Sequence, residues 1–377
     1  MIMEEKFSLK DQLYNPTKIA FLSTVIQKVH EDFDTESFEN EINAQLPALE
    51  LKARMHAIAA SLKNHLPADF KTASNILLKA LPAPLDESKS DNDFGDFIYA
   101  PFAHFIASNG CNADDLYFSL EALKEITKRF SVEFAIRPFL NYFPEQTLRE
   151  LEIWASDKNY HVRRLASEGT RPKLPWAEKI NIRPIQALPI LNLLFSDPTR
   201  YVTRSLANHL NDISKIDPEL VLSLLQQWQE KGSQAVKEME FIKAHALRSL
   251  VKSGHDKTLA YLGFAVTDNV ILKNLEHSSS FLIGENLAFS FALFAEEDLD
   301  LVIDYILYFC NKAGKTSNKK VFKLKKIALK SGIEQRVSKK HPFKANMSTR
   351  KLYPGLHRIE IQVNGRVVGA GEFMVNS

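Results

Sequence analysis

Up to about residue 275 the apolar residues recur at i, i+3, i+4 and i+7, as in Phe38–Leu51 and Leu51–Leu66. That is the stripe of an amphipathic helix buried on one side. Breakers interrupt the pattern at helix-length intervals, among them Pro47, Pro67, Pro144, Pro172, Pro184, Pro198, Pro218 and Gly254. The polar, turn-rich stretch APLDESKSDNDFGDF (Ala83–Phe97) predicts the longest loop of this half. From about residue 276 the period shortens. NLAFSFALF (Asn286–Phe294), LVIDYILYF (Leu301–Phe309) and KVFKLKKIAL (Lys320–Leu329) are short and rich in β-branched and aromatic residues. HRIEIQVNGRVVGAGEFMV (His357–Val375) predicts two strands joined at Asn364-Gly365, because a tight hairpin turn needs positive φ at both central residues.

The helical part repeats itself. SDKNYHVRRLASEG from Ser156 aligns with SDPTRYVTRSLANH from Ser196 at a period of 40, placing Val162 on Val202 and Arg164 on Arg204. KAHALRSLVKSG (Lys243–Gly254) is a weaker third copy that supplies Arg248. A helix-pair repeat near this length is the signature of HEAT-like proteins, whose pairs must stack to bury their apolar faces. The expected fold is therefore multidomain, α then β. Residues 1–275 predict a right-handed α-solenoid of HEAT-like repeats with a groove, and residues 276–377 a small antiparallel Ig-like β-sandwich.

Composition matters only through its distribution. The net charge of the 377 residues is +2, but residues 1–100 carry 10 Lys/Arg against 16 Asp/Glu, and residues 310–366 carry 16 against 2. A strongly basic block in a nearly neutral chain points to a polyanion, although a solvated basic face gives the same pattern. The two cysteines, Cys111 and Cys310, are too far apart and too few for a disulfide framework or a zinc site, which fits a reducing cytoplasm. Met1–Lys10 (MIMEEKFSLK) predicts no signal peptide, and no apolar run approaches the roughly 20 residues that span a bilayer. We expect a cytoplasmic monomer with no membrane partner.

Phosphate-loop, zinc-protease, dinucleotide and serine-elbow motifs are absent, so cofactor chemistry is not expected. Carboxylates set among arginines remain. Asp157 and Arg163 stand where such repeats form a structural ladder. Arg164, Arg204 and Arg248 recur on one edge, as a stripe contacting phosphates or as packing between repeats. Glu168 follows Arg164 by four residues and precedes Gly169, a predicted C-cap; Glu133 precedes Arg137 by four. Spacing alone leaves both glutamates as members of local ion pairs or as functional groups. Trp176, after two prolines, is either a docked core aromatic or a ring free to stack.

VEFAIRPFL, HVRRLASEGTRPKLPWA, SDPTRYVTRSLANHLNDISK and HALRSLVKSGH together resemble the AlkC family of bacterial DNA alkylation repair glycosylases, within the AlkC/AlkD superfamily of HEAT-like repeat proteins. The resemblance extends from FSLKDQLYN to STRKLYPGLHRIEIQVNG, and the C-terminal part resembles the Ig-like domain of one AlkC subgroup. It implies hydrolytic, monofunctional removal of cationic N-alkylated bases such as 3-methylcytosine and 3-methyladenine. The partner would be double-stranded DNA containing alkylated bases, the base would not be fully flipped, and no metal or cofactor would be needed. The family's catalytic glutamates fall on Glu133 and Glu168, with Arg164, Phe134 and Trp176 in the same motifs. We expect Glu168 to contact water and sugar, with Glu133 supporting it or sharing that task. Further DNA contacts are expected from Arg137, Arg171 and Lys173 around these motifs and from Arg204, Asn208 and Lys215 in the next repeat. Arg248 and Lys252 would continue them, and Arg350 and Lys351 of STRKLYPG would contribute from the basic block. A non-catalytic HEAT-repeat protein binding distorted or branched DNA is the alternative, and a protein–protein scaffold a third reading.

Overall fold

The computed structural model describes residues 8–86, 88, 94–264, 269–345, 347 and 350–377. Most of the N-terminal decapeptide, residues 87 and 89–93 of the polar loop, and Ser348 and Thr349 of the basic loop lie outside the described residues. The chain divides into two compact units: residues up to Ile216 with Leu224–Ala246, and Asp217–Ser223 with Leu247–Ser377.

The first unit is helical, and polar side chains set where its helices begin. Asn15, Asp34, Asp69 and Asn159 each accept a backbone N–H of the first turn, which satisfies a donor that the helix itself leaves open. Pro16 and Pro144 occupy first-turn positions, where a missing N–H costs nothing. The repeat is visible in three dimensions. Helix Tyr160–Gly169 packs on Arg200–Ser214, which packs on Val236–Ala246, with Pro144–Trp154 and Leu188–Leu194 behind them. The paired Ser-Asp sequences do the same work in each copy. Asp157 Oδ1 accepts the Asn159 N–H and Asp197 Oδ1 the Thr199 N–H, both at 2.8 Å. The ladder expected of this position is present. Lys124 reaches Asp157 at 3.3 Å, Arg163 reaches Asp197 at 2.5 Å and Arg200 reaches Glu238 at 2.8 Å, each tying one helix pair to the next.

The second unit is a two-sheet sandwich. Its strands are β1 (Ile271–His277), β2 (Ser280–Leu282), β3 (Asn286–Phe294), β4 (Leu299–Cys310), β5 (Thr316–Leu329), β6 (Gln335–Pro342), β7 (Gly355–Val363) and β8 (Arg366–Asn376). The sheets run β1-β3-β6 and β2-β8-β7-β4-β5. All pairings are antiparallel except the short β2 along β8, which departs from the purely antiparallel expectation. Alternate residues of β4, Leu301, Ile303, Tyr305, Leu307 and Phe309, enter the core between the sheets. On the other face of β4, Val302 packs against Leu259 and Phe264, so the last helical segment covers this sheet. β5 ends the five-stranded sheet and carries the exposed lysines 319, 320, 323, 325 and 326.

The hairpin turn forms as expected, with Asn364 at φ 44° and Gly365 at φ 81°. Gly365 meets Gly254, the left-handed cap of helix Arg248–Ser253, so closely that a Cβ on Gly365 would lie 2.3 Å from the Gly254 Cα. Gly365→Ala therefore combines positive-φ strain with a backbone clash. It should cost about 2–4 kcal/mol of stability in chemical denaturation; a loss under 1 kcal/mol would show that the contact yields.

Candidate active site

Glu133 sits in the turn between helices Leu116–Thr127 and Arg137–Tyr142, and Glu168 near the end of Tyr160–Gly169. Arg164 joins them. Its guanidinium lies 3.4 Å from Glu133 Oε2 and 3.7 Å from Glu168 Oε1, and also donates to the Ser131 hydroxyl, which in turn donates to Glu133. The i,i+4 pair of Arg164 and Glu168 is thus present but is half of a triad spanning two segments. Arg164 is buried, with its guanidinium carbon 4.6 Å from the Tyr201 ring centroid and 5.5 Å from that of Phe94.

Glu168 is 5% exposed. It accepts from Arg171 Nη1 at 2.6 Å and from Ser205 Oγ at 2.5 Å. Arg171 Nε donates to Asp212 at 3.0 Å, and Lys215 lies 3.6 Å from Asp212. Positive and negative groups therefore alternate from Glu133 to Lys215. Burial alone would raise the Glu168 pKa, but Arg164 and Arg171, aided by the Ser205 hydroxyl, hold it below its ordinary value. The carboxylate stays ionised at neutral pH, and its contribution to stability is lost only as pH falls through that lowered value. Burial opposes the charge on Arg164, but Glu133 and Glu168 outweigh it and raise its pKa.

Gly169 is not the C-cap that the sequence suggests. It is the last helical residue, and Thr170 follows at φ −91°. Its role is space: a Cβ would lie 2.7 Å from Ile136 Cγ2, so the glycine lets the Glu168 helix approach the segment bearing Glu133.

A cavity of about 940 Å³ opens over the two carboxylates. Of the residues expected to bind DNA, Phe134, Arg164, Arg171, Trp176, Arg204 and Asn208 line it. Arg137 corrects an expectation. It is 1% exposed and does not pair with Glu133; its guanidinium donates to the carbonyls of Gly169 at 3.2 Å, Arg171 at 3.1 Å and Glu178 at 2.6 Å, fixing the loop that follows Glu168. Lys173 and Lys215 are exposed away from the cavity lining, and Arg248, Lys252, Arg350 and Lys351 belong to the second unit.

Trp176 is not a docked core aromatic. It is 68% exposed and has φ 64°, a left-handed conformation that costs a non-glycine residue about 1–3 kcal/mol. Lys52 Nζ donates to its carbonyl at 2.8 Å, a charge-assisted bond at the surface that opposes relaxation of this turn. Ser131, Tyr201, Ser205, Asp212, Phe94 and Lys52 were not found from sequence. Ser205 and Asp212 carry a detectable signal, since they lie one and eight residues after the repeated Arg204. Among the described residues no cluster of acidic, histidine or cysteine side chains is arranged to hold a metal ion. Nor is any helix among them long and apolar enough to cross a membrane.

Residues 273–377 match the family model described as the C-terminal Ig-like domain of the uncharacterised protein YhaZ. The Bacillus subtilis protein YhaZ is 33% identical over 370 residues, covering 97% of this chain and 98% of its own. The structure of the Pseudomonas fluorescens alkylpurine DNA glycosylase AlkC, bound to DNA containing an abasic site analog, superimposes with a TM-score of 0.87 at 34% identity, covering 98% of this chain and all of the other. The chain belongs to the AlkC family. Within it, the matching Ig-like domain places the chain in the two-part subgroup, and the triad of Glu133, Arg164 and Glu168 lies in the helical part.

Arg164→Met would leave the buried Glu168 and the half-buried Glu133 without their shared cation. It should destabilise the protein by about 3–5 kcal/mol in urea unfolding at neutral pH, and part of that loss should be recovered in acid as Glu168, no longer held ionised by Arg164, protonates. An unchanged midpoint would mean that water replaces the guanidinium.

Proposed function

We propose that this protein is a DNA glycosylase that removes cationic N-alkylated bases, such as 3-methyladenine and 3-methylcytosine, from double-stranded DNA. The observation that carries this reading is the pair of carboxylates, bridged by Arg164, beneath a cavity walled by Phe134, Trp176 and Tyr201. Family membership and the AlkC structure on abasic DNA support it.

A base carrying positive charge leaves as a neutral molecule, so it needs little help from a general acid. Breaking the C1′–N bond passes positive charge to the deoxyribose, and water then adds to C1′ and loses a proton. The groups required are a fixed anion near the sugar, an acceptor that orients the water, and walls that favour a cation. Aromatic faces supply the walls.

Their burial and partners favour a division of the other tasks between the two glutamates. Both oxygens of Glu168 are engaged by arginine and serine, which suits a fixed stabilising charge. Glu133 directs Oε2 to Ser131 and Arg164, while no protein donor among the described residues reaches Oε1, which suits it to hold and deprotonate the water. Following the family resemblance, the reaction is read as hydrolytic and as ending at the abasic site, and the base is read without complete extrusion from the duplex.

Glu133→Gln and Glu168→Gln should each keep DNA affinity and lower single-turnover excision of 3-methyladenine by on the order of 10²-fold or more. Excision at the wild-type rate in both variants would reject the assignment. Tight binding with no excision by the wild type would favour recognition of distorted DNA without catalysis.

The exposed lysines of β5, the edge strand of its sheet, give the second unit a basic edge for phosphates. Changing Lys323, Lys325 and Lys326 to Gln should weaken DNA binding and reduce the slope of log K against log salt by about 0.9 for each phosphate that is no longer neutralised. A slope equal to that of the wild type would remove β5 from the interface.

A further inference from the structure

Trp176 is held in a backbone conformation that its own side chain disfavours, and the group that holds it comes from a distant part of the chain. The loop around it is tied to helix Arg137–Tyr142 on both sides. Arg137 takes the carbonyls of Gly169, Arg171 and Glu178, and Asn141 takes that of Lys179 while accepting the Asn181 N–H. Between these ties the apex Pro175–Trp176 projects, with the indole 68% exposed and lining the cavity. So exposed a ring has little packing to fix it. Lys52, in helix Leu51–His65, reaches this apex from 124 positions away in sequence, with its Nζ 2.8 Å from the Trp176 carbonyl oxygen and 5.9 Å from the Phe134 ring centroid.

We propose that Lys52 is a positioning residue for Trp176: by holding the carbonyl it keeps the left-handed turn and presets the indole as a wall of the cavity before DNA arrives. This rests on the glycosylase reading above. The φ of Trp176 couples its carbonyl to its ring. If the carbonyl is released, the backbone relaxes toward negative φ and the indole moves with it. A lysine suits the task because an ammonium makes a stronger bond to a carbonyl than a neutral donor does, while its alkyl stem can cross apolar surface near Phe134. Presetting the wall lowers the ordering cost of binding damaged DNA. Loss of Lys52 therefore changes the DNA concentration for half-maximal single-turnover rate more than the maximal rate.

The test separates this role from direct phosphate binding by Lys52. Of the three tryptophans, Trp154 is 1% and Trp228 3% exposed, so acrylamide-quenchable fluorescence reports Trp176. In the free protein, Lys52→Ala should increase the fast component of time-resolved anisotropy for that emission, and Lys52→Arg should restore it, with circular dichroism unchanged. On duplex containing 3-methyladenine, Lys52→Ala should raise the half-saturating concentration about tenfold, with the maximal rate within about threefold of wild type. In a Trp176→Ala background it should have no further effect. Unchanged anisotropy in free Lys52→Ala, or fully additive effects in the double variant, would overturn the proposal and make Lys52 an independent contact. Should the wild type excise nothing, the glycosylase reading fails by itself, and the anisotropy of the free variants still decides whether Lys52 positions Trp176.

Discussion

A carboxylate that has lost its water keeps its charge only if protein groups replace that water. Glu168 is the residue on which this constraint falls, and much of the helical unit answers to it. Arg164 and Arg171 supply opposite charge, and Ser205 supplies a hydrogen bond. Each of these cations needs a second anion, which Glu133 and Asp212 provide. Desolvating so many charges is not a route to stability, because well-packed apolar side chains of similar volume would do at least as well. A network of this kind retained in a core is better understood as machinery that stability must tolerate.

The repeat explains how the network is assembled without special loops. In helix Tyr160–Gly169 two adjacent arginines face different neighbours. Arg163 joins the ladder through Asp197, and Arg164, about 100° further round the helix, points at the carboxylates. The following repeat keeps the ladder through Arg200 and Glu238 and places Ser205 and Asp212 on the face that meets Glu168 and Arg171. One helix pair carries the central charges and the next completes their coordination, so the site depends on stacking between repeats. Gly169 serves the same end by allowing the Glu133 segment to come close.

The features legible in the sequence were those written in a local period or a spaced motif. These include the helical stripe, the 40-residue repeat, three of the strands and the Asn364-Gly365 hairpin. The two glutamates with Arg164, Phe134 and Trp176 were reached through contiguous motifs. What escaped was set by distance in the chain. Arg137 follows Glu133 by four residues and looked like its partner, but the helix there begins only at Arg137, so the spacing does not place the two on one face. β6 was not singled out because QRVSKKHP gives the core Val337 while its neighbours are cations and polar residues. Lys52 looks like any exposed lysine on an amphipathic helix, and only the fold brings it to a carbonyl 124 residues away.

The direction of the Glu168 pKa bears on selectivity as well as on charge. Arginines that hold a carboxyl ionised also prevent it from donating a proton at neutral pH. A neutral base must be protonated, or gain an equivalent hydrogen bond, before it leaves readily; a base already alkylated on a ring nitrogen needs neither. On the glycosylase reading, a site whose buried acid is locked as an anion gives an undamaged base no assistance at the step it most needs, while still stabilising the sugar cation once a charged base departs. Discrimination against normal DNA then does not require a pocket shaped to exclude normal bases. It follows from supplying a fixed anion to the sugar while withholding a proton from the base, and the same two arginines do both.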